Sequence, residues 1–114
     1  MPITKFLEKL KTSPENVSYD DTVSVIEENY SFVETAFTNG DAKNEAGKNN
    51  GSCKIFAFGR LNNLTEEQTL HCFGDYYRHD VLGNPDGDDH QNIRNFIQSG
   101  WAGIHFDGEA LVAR

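Results

Sequence analysis

The segment Cys53–Leu61, reading CKIFAFGRL, constrains the fold more than any other, because its apolar residues leave no polar face on a regular element. A run of this kind cannot lie on a surface, so the rest of the chain has to wrap it. Periodicity alone does not separate a buried helix from a buried strand here. Length does: Ser52 can serve as an N-cap and the run continues to the Asn62–Asn63 break, which predicts a central helix. Gly59 opposes that helix by only about 1 kcal/mol.

Directly before it, Asn39–Ser52 reads NGDAKNEAGKNNGS and cannot build a core. From Asp41 to Gly51 it has no periodicity, and Ala42 and Ala46 are its only apolar residues. A loop is expected, presented by the rigid helix that follows.

The remaining elements follow from spacing. Ile3, Phe6, Leu7 and Leu10 predict a first helix over Pro2–Lys11, stopped by Thr12–Ser13–Pro14. Ser18–Asp21 offers caps ahead of Val23, Ile26 and Tyr30, predicting a second helix that ends near Tyr30. Phe32–Phe37 is aromatic, branched and short, so a strand is expected, closed by a turn at Asn39–Gly40. Thr65 with Gln68 is a capping box, and Leu70, Phe73, Tyr77 and Val81 then make one stripe down a long helix ending before Gly83. Asp88 with Gln91 repeats that logic ahead of Ile93, Phe96 and Ile97, with Gly100 as the C-terminal cap of a helix over Asp89–Ser99. At the end of the chain, Asp107–Gly108 between Ile104 and Leu111 reads as a two-residue hairpin turn that sets those two residues face to face. The expectation is an α+β fold in one domain, residues 1–114. About five helices surround a central apolar helix, beside a small antiparallel sheet that includes a C-terminal hairpin.

Eighteen acidic against ten basic side chains give a net charge of -8, which repels phosphate backbones and anionic lipid at long range. Nucleic acid is therefore not an expected partner. No apolar run reaches the roughly 18 residues of a membrane span, so no membrane insertion is expected. Cys53 and Cys72 lack C-x-x-C spacing and read as free thiols of a reducing compartment, which places the protein in the cytoplasm.

Several residues carry potential chemistry. Cys53 falls in the first turn of the central helix, where unpaired amides favour a thiolate, and His71, His79, His90 or His105 could act as its base; a buried, inert cysteine is the simpler account. His71, Asp75 and His79 are spaced by four on the long helix and share a face, but the set spans about 12 Å, so the two imidazoles cannot share one ion. Asp86, Asp88, Asp89 and His90 form the densest acidic cluster. An EF-hand fails there, because Gln91 stands where glycine is needed and Ile97 where glutamate is. Asp75, His79, Asp86, Asp88, Asp89 and His90 thus stay as metal-ligand candidates, with no metal expected. Gly47–Lys48 lacks the earlier glycine and the following Ser or Thr of a phosphate loop, and no cofactor is expected. Asn44, Glu45, Asn49, Asn50 and Ser52 form a polar row able to bind a ligand or to tie down its own backbone.

Three stretches, NGDAKNEAGKNNGSCKIFAF, CFGDYYRHDVL and DHQNIRNFIQSGWAGIHF, resemble the HopJ family over nearly the whole chain, from about Tyr19 to Val112. That family is named after a type III effector that plant-pathogenic bacteria deliver into host cells. The resemblance therefore implies a bacterial protein with a virulence role and a partner inside a host, but it transfers no catalytic residues. Because the helical pattern begins at Pro2, export would have to unfold part of the core. The expected activity is binding to a protein partner. A thiol- or metal-dependent hydrolase and a household cytoplasmic protein are the alternatives.

Overall fold

The computed structural model describes residues 2–114. Helix α1 (Ile3–Thr12) buries Phe6 and Leu10, and a 3-10 turn at Pro14–Asn16 brings Val17 into the core. Helix α2 (Tyr19–Asn29) starts on a reciprocal capping box: the Asp21 amide donates to Ser18 Oγ at 3.0 Å and the Ser18 amide to Asp21 Oδ2 at 3.4 Å. Its buried apolar residues are Val25 and Ile26, so the inward face is turned from the expected one, which placed Val23 inward.

Helix α3 (Asn50–Leu61) is the central helix, with Cys53, Ile55, Phe56, Ala57 and Phe58 all buried. Phe56 is the hub of the aromatic packing, with Phe37, Phe73, Phe96 and Trp101 ranged around it at 4.9 to 6.5 Å between ring centroids. Gly59 costs the helix some propensity, yet a Cβ there would sit 2.8 Å from Thr69 Oγ1 and 3.0 Å from the Trp101 ring. The close approach of Thr69 and Trp101 explains it.

The expected strand over Phe32–Phe37 is two strands, β1 (Tyr30–Phe32) and β2 (Phe37–Asn39). Within the expected loop lies a third, β3 (Ala42–Asn44), joined to β2 by a tight hairpin whose turn begins at Gly40, φ +58°. The C-terminal strands β4 (Ile104–Phe106) and β5 (Leu111–Ala113) do bracket Asp107–Gly108. They pair with the segment Tyr30–Asn39 rather than with each other: β4 lies antiparallel to β2 and β5 antiparallel to β1. Both pairings keep one register, from Tyr30 opposite Ala113 to Asn39 opposite Ile104, with Val33 donating to the Ala110 carbonyl and Asp107 to the Ala36 carbonyl in between. Ile104 therefore faces Asn39, and Leu111 faces Phe32. Gly108 is not among the glycines of positive φ, which a type I′ turn would have required of it.

The single long helix expected after Thr65 is also divided. Helix α4 (Glu66–His71) carries the predicted capping box, Gln68 amide to Thr65 Oγ1 at 3.1 Å and Thr65 amide to Gln68 Oε1 at 2.9 Å. Gly74 then takes φ +62°, and Tyr76–Val81 forms a π-helical segment, marked by the Leu82 amide donating to the Tyr77 carbonyl. Leu70, Phe73 and Val81 still point inward, so the stripe survives the break. Helix α5 (Gln91–Ser99) ends on Gly100 at φ +60°, as the sequence predicts, but Ile97 faces outward. The architecture is α+β, with helices packed on α3 beside small antiparallel sheets. Among the described residues no helix is long and apolar enough to cross a membrane.

Candidate functional site

A polar cleft of about 550 Å³ opens where β3, the start of α3 and the start of α5 meet. Lys43 and Asn44 come from β3, Asn49 and Ser52 from the entry to α3, and His90, Gln91 and Asn92 from the entry to α5. Tyr19 and Tyr76, edge to face at 5.1 Å between centroids, and buried Phe73 add apolar wall.

Four asparagines set the geometry. Asn92 Nδ2 donates to Asn44 Oδ1 at 2.9 Å, and Asn44 Nδ2 donates to Asn92 Oδ1 at 3.2 Å. Asn49 Nδ2 donates to Asn44 Oδ1 at 2.7 Å. From beneath, Asn39 Nδ2 donates to both the Asn92 carbonyl and Asn92 Oδ1, at 2.7 and 3.0 Å. Asn39 is fully buried, and its Oδ1 is the buried side-chain atom among the described residues with no partner. Flipping that amide would face two acceptors with a third, so the orphan is the lesser cost.

Both helices open on left-handed residues, Asn49 at φ 55° and His90 at φ 49°, and neither makes a side-chain cap hydrogen bond. The N-caps expected at Ser52 and Asp88 are displaced accordingly. The central helix begins three residues earlier, and the Gln91 side chain bonds the Asp88 carbonyl at 2.6 Å instead of closing a capping box.

His90 is held from the side. Its Nε2 lies 3.0 Å from Asp80 Oδ2, its ring packs on Tyr76 at 5.2 Å, and the other oxygen of Asp80 is 3.2 Å from His79 Nδ1. The hydrogen bonds from His79 and then His90 hold the Asp80 carboxyl below its ordinary range.

The sequence-derived candidates divide. Asn44, Asn49, Ser52 and His90 meet at the cleft, whereas Glu45 lines a smaller neighbouring groove and Asn50 turns away to Glu34 at 3.3 Å. Cys53 is buried; burial pushes its thiol up to about 11, and the thiol reaches only the Thr35 carbonyl at 3.5 Å. Cys72 is buried as well, pushed up to about 12. The face expected to carry His71, Asp75 and His79 is broken by Gly74. His71 lies against Arg78, and burial followed by that guanidinium lowers its basicity. Asp75 lines a groove with Ser18, Tyr19, Asp20 and Tyr76. The acidic run is organised by Arg94, which donates to Asp89 and to the carbonyls of Asn84, Pro85 and Asp89, while Asp86 and Asp88 stay exposed. Among the described residues no group of three or more His, Cys, Asp or Glu side chains is placed to hold a metal ion.

Sequence reasoning did not find Asn39, Asn92, Lys43, Tyr19, Tyr76 or Asp80 as parts of this site. Asp80 carried a local signal in its adjacency to His79, and Asn92 carried one as a polar residue beside Ile93 at the start of an apolar face.

A family model described as HopJ type III effector protein matches residues 3–111. The chain belongs to the HopJ type III effector family. The crystal structure of VPA0580, a protein of unknown function, is 55% identical to this HopJ chain; the match covers 100% of this chain and 95% of that one, with a TM-score of 0.99. No curated protein matches. Neither likeness brings a reaction with it, so the chemistry of the HopJ site has to be argued from its own residues.

Proposed function

We propose that this HopJ protein acts by binding, and that the cleft between β3, α3 and α5 holds its ligand. One observation carries the reading: the polar wall is ordered in advance, because Asn39, Asn44, Asn49 and Asn92 fix one another through hydrogen bonds between three separate parts of the chain. A wall fixed before the ligand arrives spares the ordering cost of association. The cleft also falls within the size range of ligand sites, about 300–1,000 Å³. The family description supports a partner inside a host cell, reached by type III secretion. A translocation reporter fused to the full chain tests that route, and absence of signal from a secretion-competent strain counts against it.

The test of the site is comparative capture. Lys43→Glu and Tyr76→Ala alter exposed lining positions and should leave the fold intact, as checked by far-UV circular dichroism. The ligand or partner retained by the wild type should be lost from both. Equal retention by both variants would overturn the assignment of this cleft.

A hydrolase is the second reading, and the His90–Asp80 pair at the cleft is what favours it, since an imidazole oriented by a carboxylate is the arrangement of a general base. The thiol version is disfavoured by the burial of both cysteines. Model phosphate and carboxylate esters test the histidine version. Turnover abolished by His90→Gln would support it, and turnover unchanged in that variant would remove it.

A further inference from the structure

We infer that the ligand of the cleft presents an anionic oxygen group, a phosphate or a carboxylate, to Lys43, Asn44 and Asn92. This rests on the binding reading above and narrows it to a chemical class. The argument is one of donor and acceptor supply. Asn44 and Asn92 line the cleft while being 5% and 8% exposed. Each has an Oδ1 that already accepts two hydrogen bonds, Asn44 from Asn92 and Asn49, Asn92 from Asn39 and Asn44. A carboxamide oxygen has two lone pairs, so both acceptors are saturated. Each Nδ2 carries two hydrogens and uses one, which leaves one amide hydrogen on each side chain to be offered to a ligand.

The rest of the wall has the same sense. No Asp or Glu lines the cleft among the described residues, although the chain holds eighteen. Lys43 supplies a cation that no carboxylate neutralises there, and Ser52, Tyr19 and Tyr76 supply hydroxyls able to donate. Acidic groups flank the cleft from outside: Glu45 on one side, Asp20 and Asp75 on the other, and beside His90 both Asp80, tied to two imidazoles, and Asp89, paired with Arg94. An acceptor-rich ligand satisfies this wall, whereas a cation or a donor-rich ligand leaves its hydrogens unpaired. The net charge of -8 opposes an anion only at long range, and salt screens it beyond about 8 Å at physiological ionic strength.

The test is a chemical-shift titration of the full isotope-labelled chain with inorganic phosphate, acetate, methylammonium and glycerol. Phosphate or acetate should shift the Asn44 and Asn92 side-chain amide signals saturably, and Lys43→Glu should weaken that response about tenfold or more while leaving the ligand-free spectrum intact. Lys43→Gln should fall between the two. Comparing free phosphate with a phosphoserine peptide separates the sources, tighter binding of the peptide assigning a protein-borne group and equal binding a free anion. Saturable shifts with glycerol or methylammonium and none with either anion would overturn the inference while leaving the cleft a binding site. Shifts with none of the four would overturn both readings, and anion shifts indifferent to Lys43→Glu would overturn this one.

Discussion

Asn44 and Asn92 exchange side-chain hydrogen bonds in both directions, at 3.2 and 2.9 Å, although they lie on a short strand and a helix far apart in sequence. That reciprocal pair fastens β3 to α5 and fixes which atoms each amide turns toward the cleft. It is both a structural lock and part of the binding wall, so changes there act on stability as well as on recognition.

Asn92→Ala should therefore destabilise the fold. It removes one of the two acceptors of Asn39 Nδ2, one of the two donors to Asn44 Oδ1 and the partner of Asn44 Nδ2, which is left stranded in a buried place. At about 1–3 kcal/mol for a buried group left unpaired, the expected loss is about 1–3 kcal/mol. Urea unfolding measures it, and Gln91→Ala at the exposed neighbouring position should change stability by no more than about 0.5 kcal/mol.

Gly74→Ala and Gly108→Ala should differ sharply. At Gly74 the backbone is left-handed, and a Cβ would stand 2.5 Å from the Tyr19 amide nitrogen, which cannot move without dragging the start of α2. A loss of at least about 2 kcal/mol is expected, from the strained φ and the clash together. At Gly108 the nearest atom to a Cβ is Thr35 Cγ2 at 3.8 Å, an ordinary contact, and no positive φ is needed. That variant should stay within about 0.5 kcal/mol of the wild type, whereas a type I′ hairpin at Asp107–Gly108 would make it clearly unstable. Thermal unfolding of the two variants decides between these pairings.

The same two glycines show what was legible in the sequence. Periodicity and capping are local, so α1, the start of α2, the capping box at Thr65 and the buried helix after Ser52 could be read from neighbouring residues. The break at Gly74 comes from Ser18 and Tyr19 pressing on it from another part of the chain, and the stripe Leu70, Phe73, Val81 runs through the break unchanged. Strand pairing depended on a choice between partners: Asp107–Gly108 has hairpin chemistry, but Tyr30–Asn39 offers a longer antiparallel edge in continuous register. Of the site, Asn44, Asn49 and Ser52 were visible as a polar row. Asn39 and Asn92 were not, because an isolated asparagine in sequence looks like surface until its partners are brought to it.

The thiols should be silent in the folded protein. Burial raises Cys53 to about 11 and Cys72 to about 12 from an ordinary 9.0. A group that stays neutral longer when folded stabilises the fold fully below the unfolded value; that contribution is lost as pH rises from about 9 through the folded values. Unfolding free energy should accordingly fall between pH 9 and 11, and less steeply in a Cys53→Ala/Cys72→Ala variant. At pH 8, both thiols should resist iodoacetamide until denaturant is added. Rapid native labelling of Cys53 would show an accessible thiol and revive the nucleophile reading.

Asp80 works in the opposite direction. Its carboxyl is lowered from 3.8, first by the hydrogen bond from His79 and then by that from His90. A depressed carboxylate contributes stability that is present above the unfolded value and is lost as pH falls below 3.8 through the lower folded value. Asp80 is at the surface, so solvent screens the effect and the shift in stability should be small. Its positional effect should be larger, because Asp80→Asn cannot accept from both imidazoles with the same strength and frees His90 at the edge of the cleft. Nitrogen-15 spectra of the imidazoles, followed from pH 8 to pH 3, measure both. In the wild type the His90 Nε2 signal should keep the signature of a carboxylate hydrogen bond until Asp80 protonates in acid; in Asp80→Asn that signature should be absent across the range. Identical His90 spectra in the two proteins would show that Asp80 does not orient the histidine at the cleft.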